Sequence, residues 1–128
     1  MRILCNRTWA TLLAGSLWAG TLVAATLVDI RWSPEGRFVH QAPIAAGQFV
    51  EVCGKLAAGD RVRWRFTASA PLDFNIHYHV GKDVVYPVKQ LQVSSAQAEL
   101  PVSAPQDYCW MWTNKGSAPA TWSVELAR

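Results

Sequence analysis

The chain has 128 residues, enough for one domain and a short leader. It contains 12 Lys and Arg residues against 9 Asp and Glu residues. Removing Arg2 and Arg7, which lie in the leader-like segment described next, leaves 10 basic and 9 acidic residues, a net charge of +1. This near-neutral balance gives no argument for nucleic acid as a partner, so we exclude nucleic acid from the prediction.

The N-terminal segment has the pattern of a secretory signal peptide. Two arginines precede an uncharged run over residues 8–25, and this run ends in small residues. The order is typical of a leader that is cut after about Ala25. The alternative is an uncleaved anchor, because the apolar run approaches the ~20 residues that span a bilayer. We predict a signal peptide over 1–25 and one domain over 26–128, in a periplasmic or secreted protein that contacts the membrane only if the leader is retained.

The cysteines support export. Cys5 belongs to the predicted leader, which leaves Cys53 and Cys109 as an even pair in the mature domain. In an oxidising compartment such a pair is expected to form a disulfide bond. The alternative is a pair of free thiols that bind a soft metal.

Beyond residue 25 the sequence predicts strands only. Apolar and polar residues alternate with a period of two in several short segments, and no segment keeps a helical period. In chain order the expected strands cover residues 29–32, 48–53, 61–68, 74–80, 84–88, 108–114 and 122–126, with a weaker pattern at 89–95 and a short edge segment at 98–102.

The clearest of these patterns lies in residues 72–88. Phe74, Ile76 and Tyr78 share one side, and Asn75, His77 and His79 share the other. The alternation breaks at Gly81, Lys82 and Asp83, and a second apolar segment follows. The segment therefore predicts a hairpin.

Seven or eight short strands at this spacing predict an all-β fold, an antiparallel β-sandwich. Its aromatic residues repeat on one face of each strand and are expected to form the core, because each buried aromatic removes about 150–250 Å² from water. The alternative is a surface platform that stacks on a ligand. The aromatic residues concerned are Trp64, Phe66, Phe74, Tyr78, Trp110, Trp112 and Trp122.

Two β-sandwich families show a resemblance. The order of Cys53, Trp64 and Cys109 resembles the immunoglobulin fold, but Tyr108 is adjacent to the second cysteine instead of two residues before it. Tyr108 and Cys109 therefore point to opposite faces, so the immunoglobulin tyrosine corner and inter-sheet disulfide cannot both form in the usual way.

The second resemblance is to the GOLD domain, and it covers about residues 47–127. It is carried by Gly59-Asp60-Arg61-Val62, by the hairpin of residues 72–88, and by a late strand with Tyr108, Trp110, Trp112 and Asn114. The resemblance implies a β-sandwich that acts as a binding or adaptor module and has no active site.

The His-x-His pair suggests a metal site. His77 and His79 lie on the same side of the predicted strand, about 6.5–7 Å apart along the backbone. A third ligand from a neighbouring strand would complete the site, and the candidates are Met111, Glu125 and His40. Methionine beside histidine favours copper, whereas a carboxylate favours zinc. The alternative is two histidines that face solvent.

Three arginines share one face of the strand over residues 61–68. Arg61, Arg63 and Arg65 could together hold an anionic ligand such as a phosphate or a lipid head group. The alternative is a solvated face that pairs with Glu51, Glu99 or Glu125 across the sheet.

No catalytic motif stands out, and we predict no catalytic residues. A nucleophile and base assembled across strands, such as Ser123 with His77, would make a hydrolase, but no motif supports it. We predict a non-catalytic binding module of the cell envelope, whose partner is a protein or a lipid component, without a cofactor. The alternative is a periplasmic copper- or zinc-binding protein that uses His77, His79 and Met111.

Overall fold

The computed structural model describes residues 25–128, so the predicted signal peptide lies almost entirely outside the described residues. Within this part of the chain, no helix is long and apolar enough to cross a membrane. The strands are β1 (Thr26–Asp29), β2 (Arg37–Ile44), β3 (Phe49–Leu56), β4 (Arg61–Val80), β5 (Asp83–Pro101), β6 (Gln106–Thr113) and β7 (Ala120–Ala127).

The seven strands form a curled sheet with a β-sandwich-like core, as the alternation predicts. Their order is β1-β3-β6-β4-β7-β2, and β5 pairs with the other side of β4. Residues 63–68 of β4 pair with β7, whereas residues 73–77 pair with β6. The long β4 therefore takes part in two half-sheets. We call β1, β3, β6 and the second half of β4 the disulfide half-sheet, and β2, β7 and the first half of β4 the arginine half-sheet.

One continuous strand replaces two of the predicted ones. Ser69, Ala70 and Pro71 were expected to separate the strand at 61–68 from that at 74–80, but all these residues lie in β4. The register with β5 shifts between Thr67 and Leu72, which marks an irregularity in the ladder. Proline cannot donate a ladder hydrogen bond and is tolerated at such irregular positions. The turn residues therefore bend the strand from one half-sheet to the other and do not end it.

The hairpin is confirmed. β4 ends at Val80 and β5 begins at Asp83, and Gly81 has a φ of +61°. A glycine takes this backbone conformation without steric cost, which permits a two-residue turn between long antiparallel strands. The segments predicted separately at 84–88, 89–95 and 98–102 form the single strand β5.

β1 differs from the predicted all-antiparallel arrangement. It covers Thr26–Asp29 and pairs in parallel with β3, with Thr26 opposite Val50. Parallel neighbours need a long connection. Here β2 supplies it, because the chain visits the arginine half-sheet between β1 and β3.

The core is aromatic, as predicted. Trp112 lies at its centre, with its ring centroid 4.5 Å from that of Trp122 and 5.2 Å from that of Phe74. Phe66 meets Trp112 edge-on at 5.5 Å. These contacts join β4, β6 and β7, so the two half-sheets share one core. The interpretation as core is confirmed for all seven aromatic residues, although Tyr78 is only partly buried.

Asn114, the last residue of the GOLD-like motif, holds the loops at one end of the sandwich. Its buried amide nitrogen donates to the carbonyl oxygens of Ile44 at 3.0 Å and Ala118 at 2.9 Å. Its side-chain oxygen accepts from the backbone nitrogen of Gly116 at 2.9 Å. In this structure Asn114 therefore has a structural role.

Candidate functional site

The outer face of the disulfide half-sheet brings together side chains with metal-ligand chemistry. β3, β6 and β4 are consecutive strands, and their register places six outward side chains in two rows. We call these six residues the disulfide cluster. The first row contains Cys53, Cys109 and His77, and the second contains Glu51, Met111 and Asn75.

The predicted disulfide bond forms the centre of this cluster. Cys53 and Cys109 are bonded, and their Cα atoms are 4.1 Å apart. They lie directly opposite each other on β3 and β6, so the bond joins neighbouring strands of one half-sheet. An immunoglobulin domain instead joins two sheets at this point. Tyr108 faces the core, as its position next to Cys109 requires, and its hydroxyl donates to the carbonyl oxygen of Ala104 at 3.0 Å.

His77 is the buried member of the cluster. Only 6 % of the residue is exposed, although the sequence also allowed a solvent-facing position. Its Nε2 lies 3.0 Å from Oε1 of Glu51, and its Nδ1 lies 2.8 Å from Oδ1 of Asn75. Burial lowers the pKa of His77 below its usual value of 6.5. The Glu51 carboxylate opposes this shift, and His79 adds to it.

The other predicted ligands divide between two places. His79 is exposed, and its ring centroid is 5.4 Å from that of His77. Met111 lies in the second row of the cluster, beside Glu51. His40 and Glu125 belong to β2 and β7, in the arginine half-sheet, so they are not neighbours of His77.

A site that joins His77 to Glu125 or His40 is therefore not formed, because β4 bends between its two halves. Ser123 also lies on β7, where it is opposite Thr67, so the hydrolase pairing of Ser123 with His77 is not formed.

Glu51 was not considered as a metal ligand in the sequence. Its carboxylate oxygen and the two cysteine sulfur atoms all lie within 4.8 Å of one another. The alternation of β3 places Glu51 and Cys53 on one face. The alternation does not reveal that β3 lies beside β6. The cluster forms because these two strands are neighbours in the sheet.

The three arginines lie on the outer face of the arginine half-sheet, and two of them are engaged by carboxylates. Arg61 donates from Nε to Glu99 at 2.7 Å, and Arg65 donates from Nε to Glu125 at 2.9 Å. Glu125 also pairs with Arg37 of β2. These contacts agree with the alternative of cross-strand ion pairs. An anion-binding role for the three arginines stays a prediction.

A shallow groove of about 540 Å³ lies on the same half-sheet. Both polar and apolar side chains line it, and the hydrolase candidate Ser123 is among them, whereas the metal, disulfide and arginine residues predicted above are not. Its polar lining residues are Gln41, Thr67, Ser69, Thr121 and Ser123.

The tip of the β4–β5 hairpin exposes apolar side chains. Residues 83–87 are all exposed, and β5 stays largely exposed up to Glu99, although a strand packed on a core buries every second side chain. β5 therefore lies mostly outside the core, and its first residues form the tip. Val80 and Tyr86 are about half exposed, at 50 % and 49 %. Val84 and Val85, which lie between these two residues in the sequence, are also exposed. The sequence predicted the hairpin. Two adjacent valines, Val84 and Val85, were the sign in the sequence that apolar and polar residues do not alternate in its second strand.

Comparisons with known proteins identify similar folds. No family model and no curated protein matches the chain. The PliG protein of Aeromonas hydrophila, a periplasmic lysozyme inhibitor of g-type lysozyme, superposes with a TM-score of 0.58 at 12 % identity. The match covers 81 % of this chain and 96 % of that one.

Two further structures are similar. The pre-peptidase C-terminal domain of a Bacillus anthracis collagenase gives a TM-score of 0.61 at 9 % identity, covering 80 % of this chain and 95 % of that one. A mitogen from Yersinia pseudotuberculosis gives 0.56 at 12 % identity, covering 71 % and 84 %. At these identities the matches establish a small all-β fold and leave function to the site itself.

Proposed function

We propose that the protein is an exported, non-catalytic binding module that contacts a protein partner through the tip of the β4–β5 hairpin. The observation that carries this proposal is the exposed apolar tip formed by Val80, Val84, Val85 and Tyr86. Val80 and Val85 lie on one face of the hairpin, and Val84 and Tyr86 lie on the other. Exposed apolar side chains on both faces suit a cleft that encloses the tip, because burial by a partner releases water from apolar area.

The charges beside the tip favour one kind of partner. Lys82 lies in the turn, and Lys89 places its Nζ 5.4 Å from the ring centroid of Tyr86. Asp83 is the one acidic residue between them. The tip thus combines an apolar surface with a small positive excess. We expect a partner with an apolar cleft and carboxylates at its rim, because such charges steer and orient association.

Three observations support the wider proposal of an exported binding module. The disulfide bond fits an oxidising compartment. The PliG structures are those of periplasmic inhibitors, which makes a g-type lysozyme the first partner to try. The GOLD resemblance, which includes the strand from Tyr108 to Asn114, implies the same class of function.

Site-specific photo-crosslinking in the intact cell envelope tests the tip. A photoreactive amino acid at Val85 is expected to give a discrete protein adduct, and an additional Val84→Lys change should remove it. The matched control is Val39, which is 63 % exposed on β2 of the arginine half-sheet. Adducts that form equally from both positions, or from neither, would contradict the proposal. Calorimetry with purified g-type lysozyme then decides whether that enzyme is the partner.

A second candidate function is metal binding by His77, His79 and Met111 in the disulfide-bonded protein. The observation in its favour is the T-shaped pair of histidine rings. Met111 lies one row away on β6, opposite Asn75. Titration of the oxidised protein with Cu²⁺ and Zn²⁺ tests it. One equivalent should bind to the wild type and none to a His77→Ala, His79→Ala variant. A wild type that binds neither metal overturns this function.

A further inference from the structure

We propose that the disulfide cluster is a reduction-gated site for Zn²⁺. In the disulfide-bonded protein the two sulfur atoms are bonded to each other and carry no charge. Once the bond is reduced, the same positions offer two thiolates, and His77 and Glu51 supply an imidazole and a carboxylate beside them. Zinc binds this combination of sulfur, nitrogen and oxygen ligands in tetrahedral sites. This inference does not depend on the hairpin tip.

The distances in the cluster suit a single ion. The sulfur atoms of Cys53 and Cys109 and a carboxylate oxygen of Glu51 all lie within 4.8 Å of one another. His77 Nε2 is 3.0 Å from the same residue's Oε1. Bond lengths of about 2.0–2.3 Å to zinc place tetrahedral ligand atoms about 3.3–3.8 Å apart. The His77 ring is outside the group of three mutually close ligand atoms, so it must rotate towards the sulfur atoms, and these must separate after reduction, before four ligands meet at one ion.

The surroundings of His77 already resemble those of a metal ligand. A ligating histidine usually donates its second ring N–H to an oxygen acceptor, which fixes the ring and directs its other nitrogen at the metal. Asn75 provides such an acceptor at 2.8 Å from Nδ1. With the proton on Nδ1, Nε2 keeps a lone pair that points at Glu51, 3.0 Å from Oε1. A divalent cation between the two groups would accept electron density from both.

A second favourable condition is access to the disulfide bond. Cys53 remains partly exposed, which gives an attacking thiolate a route to the disulfide.

The reaction balances in two steps. A dithiol reductant transfers two electrons and two protons to the Cys53–Cys109 bond, forms its own disulfide, and leaves two protein thiols. Zn²⁺ then binds both sulfur atoms as thiolates, and two protons are released to solvent. Reoxidation of the pair expels the metal. The cluster would thus convert a change in thiol redox state into binding or release of a cation.

Titration with Cd²⁺ alone tests the site, because cadmium thiolates have an ultraviolet charge-transfer band that zinc thiolates lack. The protein is reduced with dithiothreitol and desalted without air. We expect one equivalent of Cd²⁺ to produce this band in the reduced protein and no band in the oxidised protein. A large excess of Zn²⁺ should compete with the Cd²⁺ and reduce the band. Binding of Cd²⁺ with equal affinity by the oxidised form would overturn the proposal.

Two single variants separate this site from binding by thiols alone. His77→Gln should weaken Cd²⁺ binding at least tenfold, whereas the matched change His40→Gln on β2 should leave it unchanged. Equal affinity in all three proteins would exclude His77 as a ligand and contradict the proposal. A Cys53→Ser, Cys109→Ser variant should give no band.

Near-ultraviolet circular dichroism of the tryptophan-rich core shows whether the protein loses structure when the disulfide bond is reduced. If the reduced protein keeps its fold, Cd²⁺ should raise its melting temperature. If it loses the fold, one equivalent of Cd²⁺ should restore the core signal. A reduced protein that gains neither signal nor stability from the ion disproves the site.

Discussion

Burial makes protonation of the His77 ring less favourable in the folded protein than in the unfolded chain. Burial disfavours the charged ring more strongly than Glu51 favours it, so the pKa of His77 lies below 6.5 in the folded state. The ionisable groups close to the ring are Glu51, His79 and Tyr86. Above pH 6.5 the ring is mostly neutral in both the folded and the unfolded state, so its burial does not oppose folding there. As the pH falls below that value, the unfolded chain binds a proton that the folded protein does not.

The first prediction concerns this pH dependence. The free energy of unfolding should fall as the pH decreases from about 7 through the lowered pKa of His77. His77→Gln should flatten this part of the curve, since glutamine does not titrate. Urea unfolding of both proteins at several pH values measures the difference, with the surface change Gln97→Ala as control. Parallel curves for the wild type and His77→Gln would contradict the assignment.

The second prediction concerns Asn114. Its buried amide satisfies two carbonyl oxygens and one backbone N–H in the loops that flank β2, β6 and β7. Asn114→Ala leaves these groups without partners, which costs about 1–3 kcal/mol for each one that water cannot reach. We expect a loss of several kcal/mol in the free energy of unfolding. Chemical denaturation measures this loss, and a change below 0.5 kcal/mol would argue against the role.

At the scale of elements, β3 and β6 are joined twice, by a ladder of hydrogen bonds and by a disulfide bond. The bond closes a loop of 56 positions along the chain. In the loop-entropy account such a cross-link stabilises a protein by about 4 kcal/mol, since it restricts the unfolded chain. Because the two cysteines are already neighbours in the register, the folded structure itself loses little when the bond is absent.

The third prediction follows from this placement. Cys53→Ala with Cys109→Ala should lower the free energy of unfolding by about 4 kcal/mol. The near-ultraviolet spectrum of the folded variant should stay the same. Denaturation of the oxidised wild type, the reduced wild type and the double variant compares the three directly. A folded variant with an altered core spectrum would show that the bond shapes the native packing.

At the scale of the molecule, β4 makes the two half-sheets interdependent. Its first half completes the arginine half-sheet, and its second half completes the disulfide half-sheet. Trp112 and Trp122 pack together at the centre, although they belong to different half-sheets. Neither half can bury its apolar face without the other, so the domain is expected to unfold as one unit.

The fourth prediction tests this interdependence. Urea transitions followed by far-ultraviolet dichroism and by tryptophan fluorescence should coincide. Leu72→Ala, at a buried position just after the bend, should shift both midpoints equally, with a loss of about 2–5 kcal/mol. Separate transitions for the two signals would mean that the half-sheets unfold independently.

The sequence predicted the faces of the strands well and their neighbours poorly. Alternation placed Trp64, Phe66 and Trp112 in the core, because the period of a strand is a local property. Which strands lie side by side depends on the whole chain. For this reason Glu51 was not recognised beside His77, and the bend at Pro71 was expected to end a strand. The disulfide was predicted correctly, because an even number of cysteines in an oxidising compartment is enough to indicate that the two are bonded to each other.

The position of β7 sets the order in which the fold can be completed. This strand, Ala120–Ala127, comes last in chain order among the seven described strands, yet it lies between β2 and β4. Until β7 has been synthesised, β2 has no partner in the sheet and Trp122 is missing from the core. The arginine half-sheet therefore closes after the disulfide half-sheet can already pair, and synthesis from the N-terminus leaves the edge of β2 open until the last of these strands arrives.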